Sequence, residues 1–355
     1  MLSDLDLTPQ TDRFASDAAA WAGLAEATDR QAWLRPRLEA LGLTTELKEA
    51  GSLHARWSGH RSAAPVATGG MIDAPPQTGA GLGILGGLEA LRCLREAGFT
   101  PRRPIDLLAV TSDFSSTDQA SMAQESGAAG VHAWVELAGD VGTTLRTKKI
   151  PVGIALGLAG AAELRVAIQG EGGSADAVLM PDRRDALAAA AEAIHAIEQL
   201  SRSSLSPDLT ATVHHLTATP DKPGEIHARA SFHLSLRDTD PANREQVFAA
   251  IRSELDQLAD RRRVQVHLHA LQIDAPVACD KIVIDAIESA CDEADLRWWK
   301  MLSRGQHAAA HLAAHGPAGV IPLPLEDDHP LPAPAAPSLG IETLALTLAH
   351  LAQQD

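Results

Sequence analysis

"TGGMIDAPPQTGAGLGILGGLEALR", Thr68 to Arg92, is laid out as a strand, a glycine-rich loop and a helix. A short apolar run closes on Asp73, a proline-rich loop follows, and the run from Gly83 to Arg92 opens the helix. A loop of this kind leaves the carboxyl end of a strand, the edge at which α/β sheets bind ligands. Between Thr68 and Gly83, however, Asp73 is the only ionisable side chain. The loop has the outline of a site without the residues that usually do chemistry.

Working outward, the helix predicted over Ile84–Ala97 stops at Gly98, and "PIDLLAVTSD" has the unbroken apolar character of a buried strand. Residues 11–42 carry apolar side chains at helical spacing, and "TTELKEAG", "SLHARWSG" and "PVATGGMID" read as strands. Strands alternating with helices imply an α/β sheet. From Ala161 the pattern changes. "AELRVAIQG" is a strand and "DRRDALAAAAEAIHAIEQLSR" a helix, followed by the strands "LTATVHHLTAT" and "EIHARASFHLSLRD". A helix opening at Pro241 and the strand "RVQVHLHALQI" complete a βαββαβ unit, the ferredoxin-like order. After Ala275 the α/β character resumes. The expected architecture is a discontinuous α/β domain, 1–158 and 275–355, interrupted by a ferredoxin-like domain, 159–274.

Composition narrows the function. The net charge of −16 over 355 residues argues against nucleic acid or an anionic membrane as partner, since phosphate binding needs a basic face. Cys93, Cys279 and Cys291 are widely spaced, which suggests neither a disulfide framework nor a cysteine zinc site. No apolar run reaches the length of a membrane span, and the N-terminal residues lack the pattern of a signal peptide. A cytoplasmic location is the simplest expectation.

Several stretches together are similar to the carbamoylase-type dinuclear-zinc amidohydrolases, a family that includes N-carbamoyl-amino-acid hydrolases, allantoate amidohydrolases and β-alanine synthases. They are "GLGILGGLEALRCLREAGFTPRRPIDLLAVTS", "MPDRRDALAAAAEAI", "SFHLSLRDTD", "APVACD" and "EDDHP". The resemblance covers nearly the whole chain. It implies a zinc-peptidase-like α/β domain with an inserted ferredoxin-like lid through which the chain dimerises, and an amino-acid-like or ureido substrate. It also implies two zinc ions that polarise the scissile carbonyl and activate a bridging water.

The ligands do not carry over. The family's His-x-Asp falls on Met71-Ile72-Asp73, and its bridging aspartate falls on Ala80. Its Glu-Glu pair falls on Asp113-Phe114, and its Glu-Leu-His on Glu136-Leu137-Ala138. Only the C-terminal histidine is kept, as His329. Met, Ala and Phe are poor substitutes for imidazole and carboxylate. The expectation is therefore a degenerate site with no metal and no cofactor. The lid histidine of the family falls on Ser174, and an arginine that can hold a substrate carboxylate is kept as Arg237.

The residues left for chemistry are Asp113 at the general-base position, His329 beside Asp327 and Asp328, and Asp73 as an orienting group. Arg237, Gln306, His307, Asp140 and Ser174 remain as substrate-binding candidates. Each has a plainer reading as a cap, a loop residue or an exposed strand end. In "GQHAAAHLAAHG", His307, His311 and His315 recur every four residues, the spacing of one helix face, which would permit a relocated metal site with His329. Trp298 and Trp299 would wall the cleft or pack in the core. Three functional readings follow: a metal-independent enzyme acting by acid–base chemistry, a pseudoenzyme that binds a ligand or partner protein, and a residual amidohydrolase with relocated ligands.

Overall fold

The computed structural model describes residues 5–48, 51–73, 81–111, 130–325 and 335–354. They form two units, one of residues 1–158 with 277–355 and one of residues 159–276. In chain order the first unit supplies α1 (Thr11–Ala22), α2 (Ala27–Ala40), β1 (Thr44–Leu47), β2 (Leu53–Trp57), β3 (Val66–Met71) and α3 (Gly81–Glu96). It continues with β4 (Ile105–Val110), β5 (Ala133–Asp140), α4 (Thr144–Lys148) and β6 (Val152–Leu158). The second unit holds β7 (Gly160–Gln169), β8 (Gly173–Ser174), α5 (Ala186–Arg202), β9 (Thr210–Thr219), β10 (Glu225–Ile226), β11 (Arg229–Asp238), α6 (Pro241–Arg262) and β12 (Gln265–Asp274). The chain then returns to the first unit with β13 (Val277–Ala278), α7 (Lys281–Glu293), β14 (Trp298–Ser303), α8 (Ala308–Leu312), β15 (Ala318–Pro324) and α9 (Ala335–Gln353).

The main sheet runs β1-β2-β4-β3-β5-β15, parallel from β4 to β15 and antiparallel at the β1–β2–β4 edge. Its central strands are buried along their whole length, as expected of strands covered on both faces. Alternation sorts their side chains into two layers. Leu107, Ala109, Val135 and Leu137 pack with Leu88 of α3 and Leu344 and Leu348 of α9. On the opposite face Ala67, Met71, Leu108, Val110, Trp134 and Ala138 pack with Ala308, Ala309 and Leu312 of α8. A smaller sheet, β13-β6-β14, completes the unit.

The opening stretch folds as its pattern requires. Helix α3 lies against β3 because Gly83 has no side chain, and a Cβ there would stand 2.2 Å from the Gly69 carbonyl oxygen. Helix α3 ends at Gly98, whose φ of 72° is the left-handed geometry of a glycine past a helix end.

The second unit is the ferredoxin-like arrangement: an antiparallel sheet, β12-β7-β11-β9, whose core-facing residues pack on α5 and α6. Phe232 and Leu234 of β11 are buried while Ser231, His233 and Ser235, which alternate with them, are partly exposed, the period-2 signature of a half-covered sheet. Asp185 caps α5 by accepting the Leu187 N–H at 2.9 Å, and Asp240 caps α6 by accepting the Ala242 N–H at 2.9 Å, with Pro241 in the first turn. Among the described residues, no helix is long and apolar enough to cross a membrane.

Candidate functional site

The parallel strands β3, β4, β5 and β15 end along one edge of the main sheet, so the residues at their carboxyl ends converge. From the paired residues Thr68 and Val135, three further residues on each strand lead to Met71 and Ala138. Both are buried, and both belong to the same apolar cluster as Trp134, Val110, Ala308 and Ala309. Two of the positions at which the sequence lacks metal ligands are thus part of a packed core. Burying a methionine side chain stabilises by about 1.5–3 kcal/mol, whereas an unpaired imidazole in its place would cost free energy.

Asp73 follows Met71 at the strand end. Its charge acts on Arg30 of α2, which is buried and donates to the Ile72 carbonyl at 2.7 Å. Burial lowers the pKa of the Arg30 guanidinium, and Asp73 and Glu26 partly offset that effect. Asp113 and His329, together with the ligand-position residues Ala80 and Phe114, lie outside the described residues.

Trp134, Glu136, Ala138 and Asp140 alternate onto the α8 side of β5. Asp140 is buried at the strand end. Its Oδ1 accepts the Gly142 N–H at 2.8 Å, while its Oδ2 has no hydrogen-bond partner. Arg304 lies beside it: a Cβ on Gly142 would stand 2.8 Å from Arg304 Nη2 and 3.1 Å from Asp140 Oδ1.

The structure corrects the histidine stripe. Helix α8 spans only Ala308–Leu312, so His307 is its N-cap in extended conformation, His311 lies within it and His315 lies beyond its end. The three do not share a helix face. The four-residue spacing suggests a longer helix, but the chain turns at Ala313–Gly316 to enter β15. His307 is drawn inward instead. Its Nε2 lies 2.6 Å from Ser303 Oγ, and its Nδ1 lies 3.8 Å from Glu136 Oε1 without a hydrogen-bond partner. The other Glu136 oxygen accepts the Ala309 N–H at 2.8 Å. Ser303 and Glu136 are absent from the sequence-derived candidates: no local pattern marks a strand-end serine, and the Glu136-Leu137-Ala138 stretch gives no sign that its glutamate faces a histidine.

Of the remaining candidates, Gln306 is exposed next to His307. Trp298 packs against the main core and donates to Asp292 at 3.2 Å, while Trp299 is exposed beneath Lys148. In the second unit, Arg237 pairs with Glu163 at 3.0 Å, and Ser174 is exposed, accepting the Asp176 N–H. That unit also brings His214, His215 and His233 together, with ring centroids 5.2–5.6 Å apart. Among the described residues, no group of three or more His, Cys, Asp or Glu side chains is arranged to hold a metal ion, this trio included.

No family model matches the sequence. Relatives nevertheless align along most of it. A ureidoglycolate hydrolase of Arabidopsis thaliana is 28% identical over 366 aligned positions, covering 87% of this chain and 77% of the relative. An N-carbamoyl-L-amino acid amidohydrolase of Geobacillus stearothermophilus is 29% identical over 296 positions, covering 72% and 70%. The crystal structure of AtUAH in complex with (S)-hydroxyglycine superposes with a TM-score of 0.89 at 25% identity, covering 97% of this chain and 98% of that one. The chain is a relative of the carbamoylase-type amidohydrolases. An amidase of the hydantoinase/carbamoylase family from Burkholderia vietnamiensis shares the fold of this carbamoylase relative at a TM-score of 0.89 and 21% identity, covering 98% and 99%.

The two zinc ions implied by that kinship can be tested against the described donors. A thioether at Met71 and a methyl at Ala138 are not zinc ligands, and both side chains are committed to apolar packing. Among the described residues, neither of these two positions contributes a zinc donor.

Proposed function

We propose that the protein is an enzyme acting on a C–N bond of a small amino-acid-like, amide or ureido substrate, by acid–base chemistry without the two zinc ions. The observation that carries this reading is the contrast at one strand edge: Met71 and Ala138 are packed as core, while buried His307 Nδ1 and Asp140 Oδ2 are left without hydrogen-bond partners. A protein relieved of all chemistry would be expected to lose such atoms, because each costs about 1–3 kcal/mol when left unsatisfied. Asp140 Oδ2 is available to accept an N–H of a ureido or amino group. Asp113 and His329 stand as further acid–base candidates and Asp73 as the residue that orients the strand end. Arg237 is assigned to a substrate carboxylate, for which Glu163 now substitutes, with Gln306 and Ser174 as lesser contacts. Exposed Leu216 on β9 and Leu271 and Ile273 on β12, at the two edges of the inserted sheet, support dimerisation through that unit.

Two measurements test the proposal. Elemental analysis of protein purified without chelator should find far less than one zinc per chain, and about one or more would overturn the metal-free reading. Turnover should appear on a panel of ureidoglycolate, allantoate and N-carbamoyl-amino acids, scored by loss of substrate. Tight binding of a panel member with no turnover would instead make the chain a pseudoenzyme.

A further inference from the structure

Two side chains four residues apart and a third from a distant strand of the first unit meet in the order hydroxyl, imidazole, carboxylate. Ser303 Oγ lies 2.6 Å from His307 Nε2. His307 Nδ1 faces Glu136 Oε1 at 3.8 Å, and Glu136 is itself held by the Ala309 N–H at 2.8 Å. None of the three is more than 4% exposed. A buried histidine with a purely structural role normally has both ring nitrogens satisfied. Here Nδ1 is left without a hydrogen-bond partner and aimed at a carboxylate, a gap that an approach of about 1 Å would close, as catalytic hydrogen bonds commonly do when substrate binds. The geometry is that of a nucleophile, its base and the acid that orients the base. Glu136 alternates with Trp134 and Ala138 on β5, and those two pack in one cluster with Met71 and with Ala308 and Ala309, which follow His307 in the chain.

We infer that Ser303 is a nucleophile activated by His307, with Glu136 as the orienting carboxylate, and that this trio takes the part a metal-bound water plays in a zinc hydrolase. The inference deepens the proposed function by naming its reacting group, and rests on that reading for its substrate class, an amide or ureido carbonyl with a nitrogen leaving group. Ser303 Oγ bonds to the carbonyl carbon while its proton passes to His307 Nε2. The C–N bond then breaks as Nε2 returns that proton to the departing nitrogen, leaving an acyl- or carbamoyl-serine and a free amine. Water attacks the ester, giving a proton to Nε2 that is passed on to Ser303 Oγ as the acid leaves. The sum is substrate plus water giving acid plus amine, and Glu136 stays ionised throughout.

The test uses the full chain and no substrate, so it stands apart from the turnover panel. The protein is treated with methanesulfonyl fluoride, a small sulfonylating reagent, and adducts are located by peptide mass spectrometry. A single adduct on Ser303 is expected. Its rate of formation should fall about 100-fold or more in His307→Gln and about 10-fold in Glu136→Gln, losses in the range of general-base removal. An unmodified Ser303 in the wild-type chain overturns the inference whether or not the variants fold. So does an adduct forming at an unchanged rate in folded His307→Gln. Labelling of Ser303 in a protein that turns over nothing on the panel keeps the nucleophile and removes the substrate class.

Discussion

Replacing Gly83 with alanine asks how closely α3 is held to the strand that ends at Met71. A Cβ on Gly83 would stand 2.2 Å from the Gly69 carbonyl oxygen, 3.1 Å from the Gly69 carbonyl carbon and 3.2 Å from the Leu137 carbonyl oxygen. All three are backbone atoms of the central strands, so relief requires the helix to move by about 1 Å rather than a side chain to rotate. Overpacking of this kind costs typically 1–3 kcal/mol, and a rigid backbone obstacle belongs at the upper end. Alanine recovers up to about 1 kcal/mol of helix propensity, which leaves a net loss of about 2 kcal/mol. Gly87, one turn later, is the internal control. Its Cβ would meet Thr68 Cγ2 at 3.2 Å and Leu107 Cδ1 at 3.3 Å, both side-chain ends that can yield by a few tenths of an ångström. There the two effects should cancel to within about 1 kcal/mol. Urea unfolding followed by tryptophan fluorescence reads the difference as a shift of midpoint. In a thermal melt it should lower Tm by about 4–8 °C for Gly83→Ala. A Gly83→Ala protein as stable as Gly87→Ala would refute the argument that the missing side chain sets the helix–strand distance.

Asp106 of β4 is buried and accepts Arg56 Nε and Nη2 at 2.8 and 2.7 Å, while His54 Nε2 approaches to 3.0 Å without the alignment of a hydrogen bond. Burial alone would raise the Asp106 pKa, but the contacts from Arg56 and His54 outweigh it and hold the carboxyl below its usual value. A depressed folded value means that its contribution is present above the unfolded pKa of about 4 and is lost as pH falls through the folded one. Asp106→Asn, which removes the counter-charge of partly exposed Arg56, should cost about 1.5–3 kcal/mol at pH 7, and the gap to wild type should close progressively below about pH 4 in unfolding experiments. Arg237→Gln should raise KM for a carboxylate-bearing substrate about 10–100-fold with little change in kcat, the worth of a charge-assisted hydrogen bond; an unchanged KM would leave Arg237 as the structural partner of Glu163.

Much of the fold is legible in the sequence because it is written in short-range periodicity. The βαββαβ order from β7 to β12 follows from alternating apolar residues, from Pro241 in a first helical turn and from Asp185 and Asp240 as caps. Each of these signals spans only a few residues. The histidine spacing was misleading for the same reason. Local periodicity cannot register that the chain must leave α8 after Leu312 to enter β15 beside β5.

By itself the sequence determined the order of elements, the ferredoxin-like unit, and the apolar identity of Met71 and Ala138. Those are properties of side-chain chemistry and of neighbours two to four positions apart. Only the tertiary structure decided that Met71 and Ala138 share one packed layer with α8, and that Ser303, His307 and Glu136 meet. Glu136 accepts a hydrogen bond from a residue 173 positions away, a contact set by the parallel pairing of β5 with β15 and the short helix that precedes it. Sheet topology fixes such distances, and no local pattern of the chain encodes them.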